Sequence, residues 1–386
     1  MPRPAPTSWL IAAFVFGLFF VLKLPTLNLP YHWDEHGAYV LPAIWLADVG
    51  LHHALPGLHP MTKFFTHPPG LYIGLAALYT LFGHTIWLTH AVAVGLGAAS
   101  LYLTYRLGLL ITNNAATGAL AALLLLLNPL FFAQAGLMHG DMTVTVLGLS
   151  AVFLYLKGNI RGYLFVAVAL VLSKERGIAI VAGVTAYHFL FRGDRPRHLR
   201  ESLVLAIPSL ALAAFFMATW VTTNELVTNP YFTKHALINL SFKTVTRWLL
   251  VHQGRWILTL AVLGAIILVP KRFWRREFVL LALLVLPFWS AFSIIYFLPR
   301  YLIPALPYLC IASAAALVAL SGRWKVVPLA ALVGLVVIFS LEINGNEGHY
   351  SGSYETNMEY VDVVKTHLDA ATWLEVEHTD AKILAM

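Results

Sequence analysis

Residues 8–36, SWLIAAFVFGLFFVLKLPTLNLPYHWDEH, decide the fold. Residues 8–24 carry a single charge, Lys23, close to their end. A helix needs roughly 17–25 mostly apolar residues to cross the hydrocarbon of a bilayer, about 30 Å thick. The stretch reads as a span rather than a signal peptide, because Pro25 to Pro30 follow it instead of a small-residue cleavage site. Immediately beyond stand Tyr31-His32-Trp33-Asp34-Glu35-His36, two adjacent carboxylates where the chain leaves the membrane.

The rest of the chain repeats the apolar pattern. Apolar residues make up 59% of the 386 and charged residues 11%, against roughly 25% charged in a soluble domain. Further runs lie at 85–110, 115–135, 141–157, 162–175, 177–192, 201–222, 255–270, 278–298, 301–320 and 326–342, which predicts an all-α polytopic membrane protein with about eleven spans. No repeat of 20–50 residues is visible. The only cysteine, Cys310, lies inside an apolar run and allows no intrachain disulfide.

Charge sets the expected orientation. With the N-terminus cytoplasmic, Lys157, Arg161, Arg192, Arg195, Arg197, Arg200, Lys271, Arg272, Arg275, Arg276, Arg323 and Lys325 fall in short inside loops. Of the 18 acidic residues only Asp194, Glu201 and Glu277 join them, so the remaining acids gather outside. The formal net charge of +7 is thus a topology signal and implies no nucleic-acid partner.

Three outside segments are long enough for chemistry. The first, 25–84, contains an apolar stretch at 36–49 too short to span, read as a helix lying in the interface. A second short helix is expected from His67-Pro68-Pro69 to Phe82, since proline suits a first helical turn. The second segment is 223–254. The third is the tail 343–386: a Gly/Asn/Ser-rich linker at 344–353, an amphipathic helix at about 357–377, and a strand-like opening at 381–386. A lone helix and half a strand cannot bury a core, so the tail reads as the start of a small, truncated α/β domain.

Each candidate residue serves two readings at this stage. Asp34 and Glu35 are either a base and its neighbour or solvated loop acids. Asp141, after Met138-His139-Gly140, is either functional or a helix N-cap. Lys174, Glu175 and Arg176 lie near the end of an apolar span, where charges must be paired or face a polar cavity. A Lys174–Glu175 ion pair closing a helical hairpin is the plain alternative. Arg300 and Tyr301 mark an outside junction where arginine can grip phosphate or snorkel to headgroups. Seven of the 16 histidines lie in the first outer loop, among them His32, His36 and His67, and with the nearby acids leave a divalent metal open.

These pieces resemble the GT-C glycosyltransferases. Trp33-Asp34-Glu35 after the first span, His67-Pro68-Pro69-Gly70-Leu71-Tyr72 and Leu81-Phe82-Gly83 around a second short helix carry the likeness, with Asn128-Pro129, Asp141-Met142, Ser173-Lys174-Glu175 and Arg300-Tyr301-Leu302-Ile303-Pro304. The nearer likeness is to the branch holding protein O-mannosyltransferases and the bacterial aminoarabinose transferases that modify lipid A. It covers most of residues 8–342 and makes 1–342 the catalytic domain.

The resemblance implies sugar transfer from a polyprenyl-phosphate donor to a protein, lipid or glycan acceptor on the outer face of a prokaryotic cell membrane. It implies Asp34 as general base with Glu35 beside it. His67, Lys174 and Arg300 with Tyr301 form the expected phosphate cradle, Lys63 and Arg176 add to it, and Asp141, Glu175 and His36 support it or hold a metal. Arg176 departs from the family pattern, and the short tail leaves room for a partner subunit. Two other classes share these features, a lipid-linked-substrate transporter and a non-catalytic membrane scaffold. The absence of internal symmetry argues against the transporter, and the paired acids and cations argue against the scaffold.

Overall fold

In hydrocarbon every backbone N–H and C=O must be satisfied within its own segment, so long apolar runs become helices. The computed structural model describes residues 6–55, 65, 67–191, 195–225, 240–273, 276–344 and 356–377. Among them the secondary structure is helical throughout, with no strand.

All eleven predicted apolar segments are helical. The first four are α1 (Pro6–Lys23), then, beyond the outer loop, α4 (Ile86–Thr112), α5 (Ala115–Leu126) with α6 (Pro129–Gln134), and α7 (Gly140–Leu156). Next come α8 (Ile160–Ser173), α9 (Ile178–Phe191), and α10 (Arg195–Leu205) with α11 (Ile207–Thr223). The remainder are α12 (Phe242–Leu250) with α13 (Arg255–Leu268), α14 (Pro270–Phe273), α15 (Arg276–Ile294), a 3₁₀ turn at Pro299–Ala305 leading into α16 (Leu306–Ser321), and α17 (Val326–Glu342).

By length and composition Ile86–Thr112, Arg276–Ile294 and Pro299–Ser321 each suffice to cross a membrane, and two bent pairs raise the number to five. The bends are 46° between α10 and α11 and 80° between α12 and α13. Shorter apolar helices make up the rest. Proline and asparagine explain one break the sequence reading passed over: Asn128 accepts from the Phe131 N–H at 3.2 Å and Pro129 starts α6, splitting the run 115–135. The helix surfaces expose large apolar side chains such as Phe165 (79%) and Ile267 (73%), which lipid tolerates and water does not.

The segment after α1 forms a packed layer. A π-helical turn at Glu35–Val40 runs into α2 (Leu41–Val49), and α3 (Gly70–Phe82) packs across it. Tyr39, Ala43, Leu46, Leu71, Tyr72 and Tyr79 form a core of their own there. Gly70 is required: a Cβ at this position would stand 2.7 Å from the Leu172 carbonyl oxygen. That close approach brings the start of α3 against the end of α8, beside Lys174.

The tail carries α18 (Glu359–Glu377), whose Tyr360 and Val364 pack on Ala133 and Leu137. The strand-like stretch 381–386 lies outside the described residues.

Candidate active site

Four chain segments that are distant in sequence converge at one end of the helices. They are the turn at 33–40, the first turn of α7, the break between α8 and α9, and the 3₁₀ turn that opens at Pro299. A helix break frees backbone to bend and aims side chains inward rather than along the helix surface.

Asp141 is the hub. It sits in the first turn of α7 and is 1% exposed. Lys174 Nζ donates to its Oδ1 at 2.9 Å, Arg176 Nη1 stands 3.5 Å from the same oxygen, and Arg300 Nε stands 3.7 Å from Oδ2. The N-cap of α7 is His139, with no side-chain cap, so the N-cap reading of Asp141 does not hold. Lys174 therefore pairs with Asp141 and not with Glu175, which corrects the hairpin-closing pair. Gly140 lets this happen: a Cβ there would lie 3.2 Å from both Lys174 Cδ and the Tyr39 ring.

One buried carboxylate faces three cations. The other acids sit around that core. Glu175 Oε2 is 2.9 Å from His67 Nδ1, and Glu175 Oε1 is 3.7 Å from Arg176 Nε. Asp34 pairs through Oδ2 with Arg300 Nη2 and is the half-open member of the cluster, 36% exposed. The guanidinium of Arg176 lies over the Tyr301 ring at 3.3 Å, with Phe292 at 5.1 Å, which fixes its plane. Its Nη1 is buried and makes no hydrogen bond among the described residues.

The adjacent carboxylates of the loop part company. Glu35 is fully buried and accepts from the Met138 N–H at 2.7 Å and the His32 N–H at 3.1 Å, with His90 Nε2 at 3.1 Å. Glu35 is a bracket for the loop while Asp34 faces the cations. Trp33 between them and the span has φ +39°, a strained value for a bulky residue at the point where the chain turns to present Asp34. His36 is exposed and stacks on Tyr31.

His67 is buried beside Glu175, and burial lowers its pKa below the ordinary histidine value against the pull of that carboxylate. A neutral ring whose Nδ1 faces a carboxylate keeps its proton there. His67 and Glu175 thus hold one another in place beside the cations. Lys63 lies outside the described residues. Tyr39 was missed by sequence reading: its hydroxyl accepts from Lys174 Nζ at 3.2 Å and its ring stacks on His67. Its position five residues after Asp34, on the π turn, gave no pattern to find it by.

Among the described residues no group of three His, Cys, Asp or Glu side chains gathers at ligand spacing. The carboxylates that do converge are each faced by a cationic side chain or by histidine.

A scan against protein-family profiles finds no match, and neither does a search of curated proteins by sequence. Solved structures do match. The crystal structure of ArnT from Cupriavidus metallidurans bound to undecaprenyl phosphate superposes with a TM-score of 0.65 at 18% identity, over 96% of this chain and 73% of that one. The apo ArnT structure from the same organism gives 0.63 at 18%, over 96% and 69%. At that identity the likeness speaks for architecture alone: the chain has an ArnT-like fold.

Proposed function

We propose that this protein is a membrane glycosyltransferase that takes a sugar from a polyprenyl-phosphate donor. The observation that carries the reading is the gathering of Lys174, Arg176 and Arg300 on one buried carboxylate, Asp141, beside the half-open Asp34. Three cations held in place before the ligand arrives make a phosphate cradle that costs little reorganisation. ArnT, whose fold this chain shares, has been crystallised with undecaprenyl phosphate, which supports the same class of donor.

The chemistry follows from charge. An acceptor oxygen or nitrogen forms its bond to the anomeric carbon as the carbon–oxygen bond to phosphate breaks. The bonding pair leaves with the phosphate, which changes from a singly charged diester to a more highly charged monoester. Lys174, Arg176 and Arg300 meet that developing charge, and their planar or compact heads suit phosphate oxygens. The acceptor proton goes to Asp34. Arg300 couples the two events: as phosphate engages its guanidinium, the Asp34 carboxylate turns to the acceptor. The site faces the extracytoplasmic side, opposite the basic loops.

The test is turnover of a panel of radiolabelled polyprenyl-phosphate sugars by the purified protein in membranes, with Asp34→Asn alongside. Sugar release or transfer that Asp34→Asn reduces by about 10²–10⁴-fold, with donor binding kept, fits a general base. Equal activity in Asp34→Asn removes Asp34 from the mechanism. Bound donor with no turnover in the wild type turns the reading toward a scaffold.

A further inference from the structure

Asp34 sits in a short closed loop. The Glu35 N–H donates to the His32 carbonyl at 2.9 Å, and the His32 N–H donates back to Glu35 Oε2 at 3.1 Å. This reciprocal pair is locally self-satisfied but says nothing about where the loop sits over the cations. Two braces fix that. One is the Glu35 carboxylate, tied to Met138 and His90. The other is the His32 ring, 7% exposed, which lies 5.5 Å from the ring of Tyr360 at 35°.

Tyr360 belongs to α18, in the tail, far from the site in sequence. It is 2% exposed, and with Val364 one turn on it packs on Ala133 and Leu137, next to the Met138 that binds Glu35. The start of the helix is tied down twice more. Gln253 Nε2 donates to the Thr356 carbonyl at 2.8 Å, and the Met358 N–H donates to the Ile343 carbonyl at 2.7 Å. Met358 Sδ also lies 3.6 Å from Lys23 Nζ, a fully buried ammonium at the end of α1. The tail helix therefore touches the His32 brace directly and packs on Leu137, the residue before the Met138 that holds the other. The Tyr360 hydroxyl is buried and makes no hydrogen bond among the described residues, so it is the ring and not the hydroxyl that touches the loop.

We propose that Tyr360 is a positioning residue for the transfer reaction, holding His32 so that Asp34 stands at the anomeric centre. The inference rests on the glycosyltransferase reading above. It gives the tail a task in catalysis that is independent of acceptor recognition.

The experiment compares Tyr360→Ala, Tyr360→Leu and Tyr360→Phe in the full chain, reconstituted in membranes. Two readouts are taken: kcat and donor KM with the polyprenyl-phosphate sugar that the wild type turns over, and amide hydrogen exchange at residues 32–37. Tyr360→Ala and Tyr360→Leu should lower kcat by at least about tenfold, as a misplaced reacting group does, with donor KM within about twofold. Exchange at the Glu35 amide should rise in both. Tyr360→Phe should match the wild type in every readout, because the ring is kept.

Unchanged kcat in Tyr360→Leu, a loss confined to KM, or damage in Tyr360→Phe equal to that in Tyr360→Ala overturns the proposal. Leucine keeps apolar bulk in the Ala133–Leu137 contact, so a folded variant is available even where alanine loosens the helix. Should the wild type turn over no donor, the glycosyltransferase reading fails by itself. Exchange then still reports on the brace: unaltered exchange in Tyr360→Leu sinks it, and faster exchange keeps Tyr360 as the anchor of the loop.

Discussion

At the residue scale the site is a problem of buried charge. Removing a buried charge's partner leaves the other uncompensated, at a cost of about 3–5 kcal/mol. Asp141→Asn leaves Lys174, Arg176 and Arg300 crowded around a neutral amide, so it should lower the unfolding temperature in detergent as well as activity. Lys174→Met should cost less stability, because Arg176 and Arg300 still neutralise Asp141. Its loss of turnover should be about 10²–10³-fold, the scale seen when one preorganised donor is removed. A Lys174→Met protein that keeps full kcat would take this lysine out of the cradle. The histidines add a pH dependence with a definite sign. Burial lowers the pKa of both His67 and His32 from 6.5. Below that value the unfolded chain takes up protons that the folded chain refuses, so the contribution of these two histidines falls as pH drops from about 6.5 toward the lowered values, and above it they add no slope. Thermal unfolding from pH 5 to 8 measures this, and His67→Gln should shallow the acid-side fall.

At the element scale the site depends on helices that stop or bend in the right place. The α8–α9 break puts Lys174 and Arg176 on the same cluster because the chain turns through a 3₁₀ segment at Glu175–Gly177 between them. Gly70 allows α3 to sit against that break. Gly70→Ala drives a Cβ toward a backbone oxygen, which a rotamer change cannot relieve, so a loss of about 1–3 kcal/mol is expected. Chemical unfolding checks it, and activity should fall with it as α3 lifts away from Lys174. Much of this layer was legible in sequence. The apolar lengths of the runs gave the helices, and the prolines and charges at their ends gave the junctions. Partner choice was not legible: Lys174 stands next to Glu175 in the chain yet bonds to Asp141, because the helix break sends neighbouring side chains in different directions. Asp34 and Glu35 diverge for the same reason. The π turn hid Tyr39, and the packing of α18 over the loop has no sequence signal beyond an amphipathic pattern.

At the scale of the whole molecule, two charge distributions have to agree with one structure. The cations of the cluster lie at one end of the helices together with Asp34, Asp141 and Glu175, while the basic loops beginning near Arg161, Lys271 and Arg323 lie at the other. Lysine and arginine in short loops set orientation through retention on the cytoplasmic side. The site should then open to the extracytoplasmic face, where a lipid-linked donor presents its sugar. Cysteine accessibility decides this in intact cells. The native Cys310 is 1% exposed and closed to a bulky reagent, so it provides a quiet background. A membrane-impermeant maleimide should label His36→Cys and Asp362→Cys from outside, since both positions are exposed. Arg323→Cys should label only after the membrane is permeabilised. The reverse pattern would place the cluster on the cytoplasmic face, and the donor would then be reached from the side on which it is made. Labelling of all three from outside would overturn the alternation of spans on which this orientation rests.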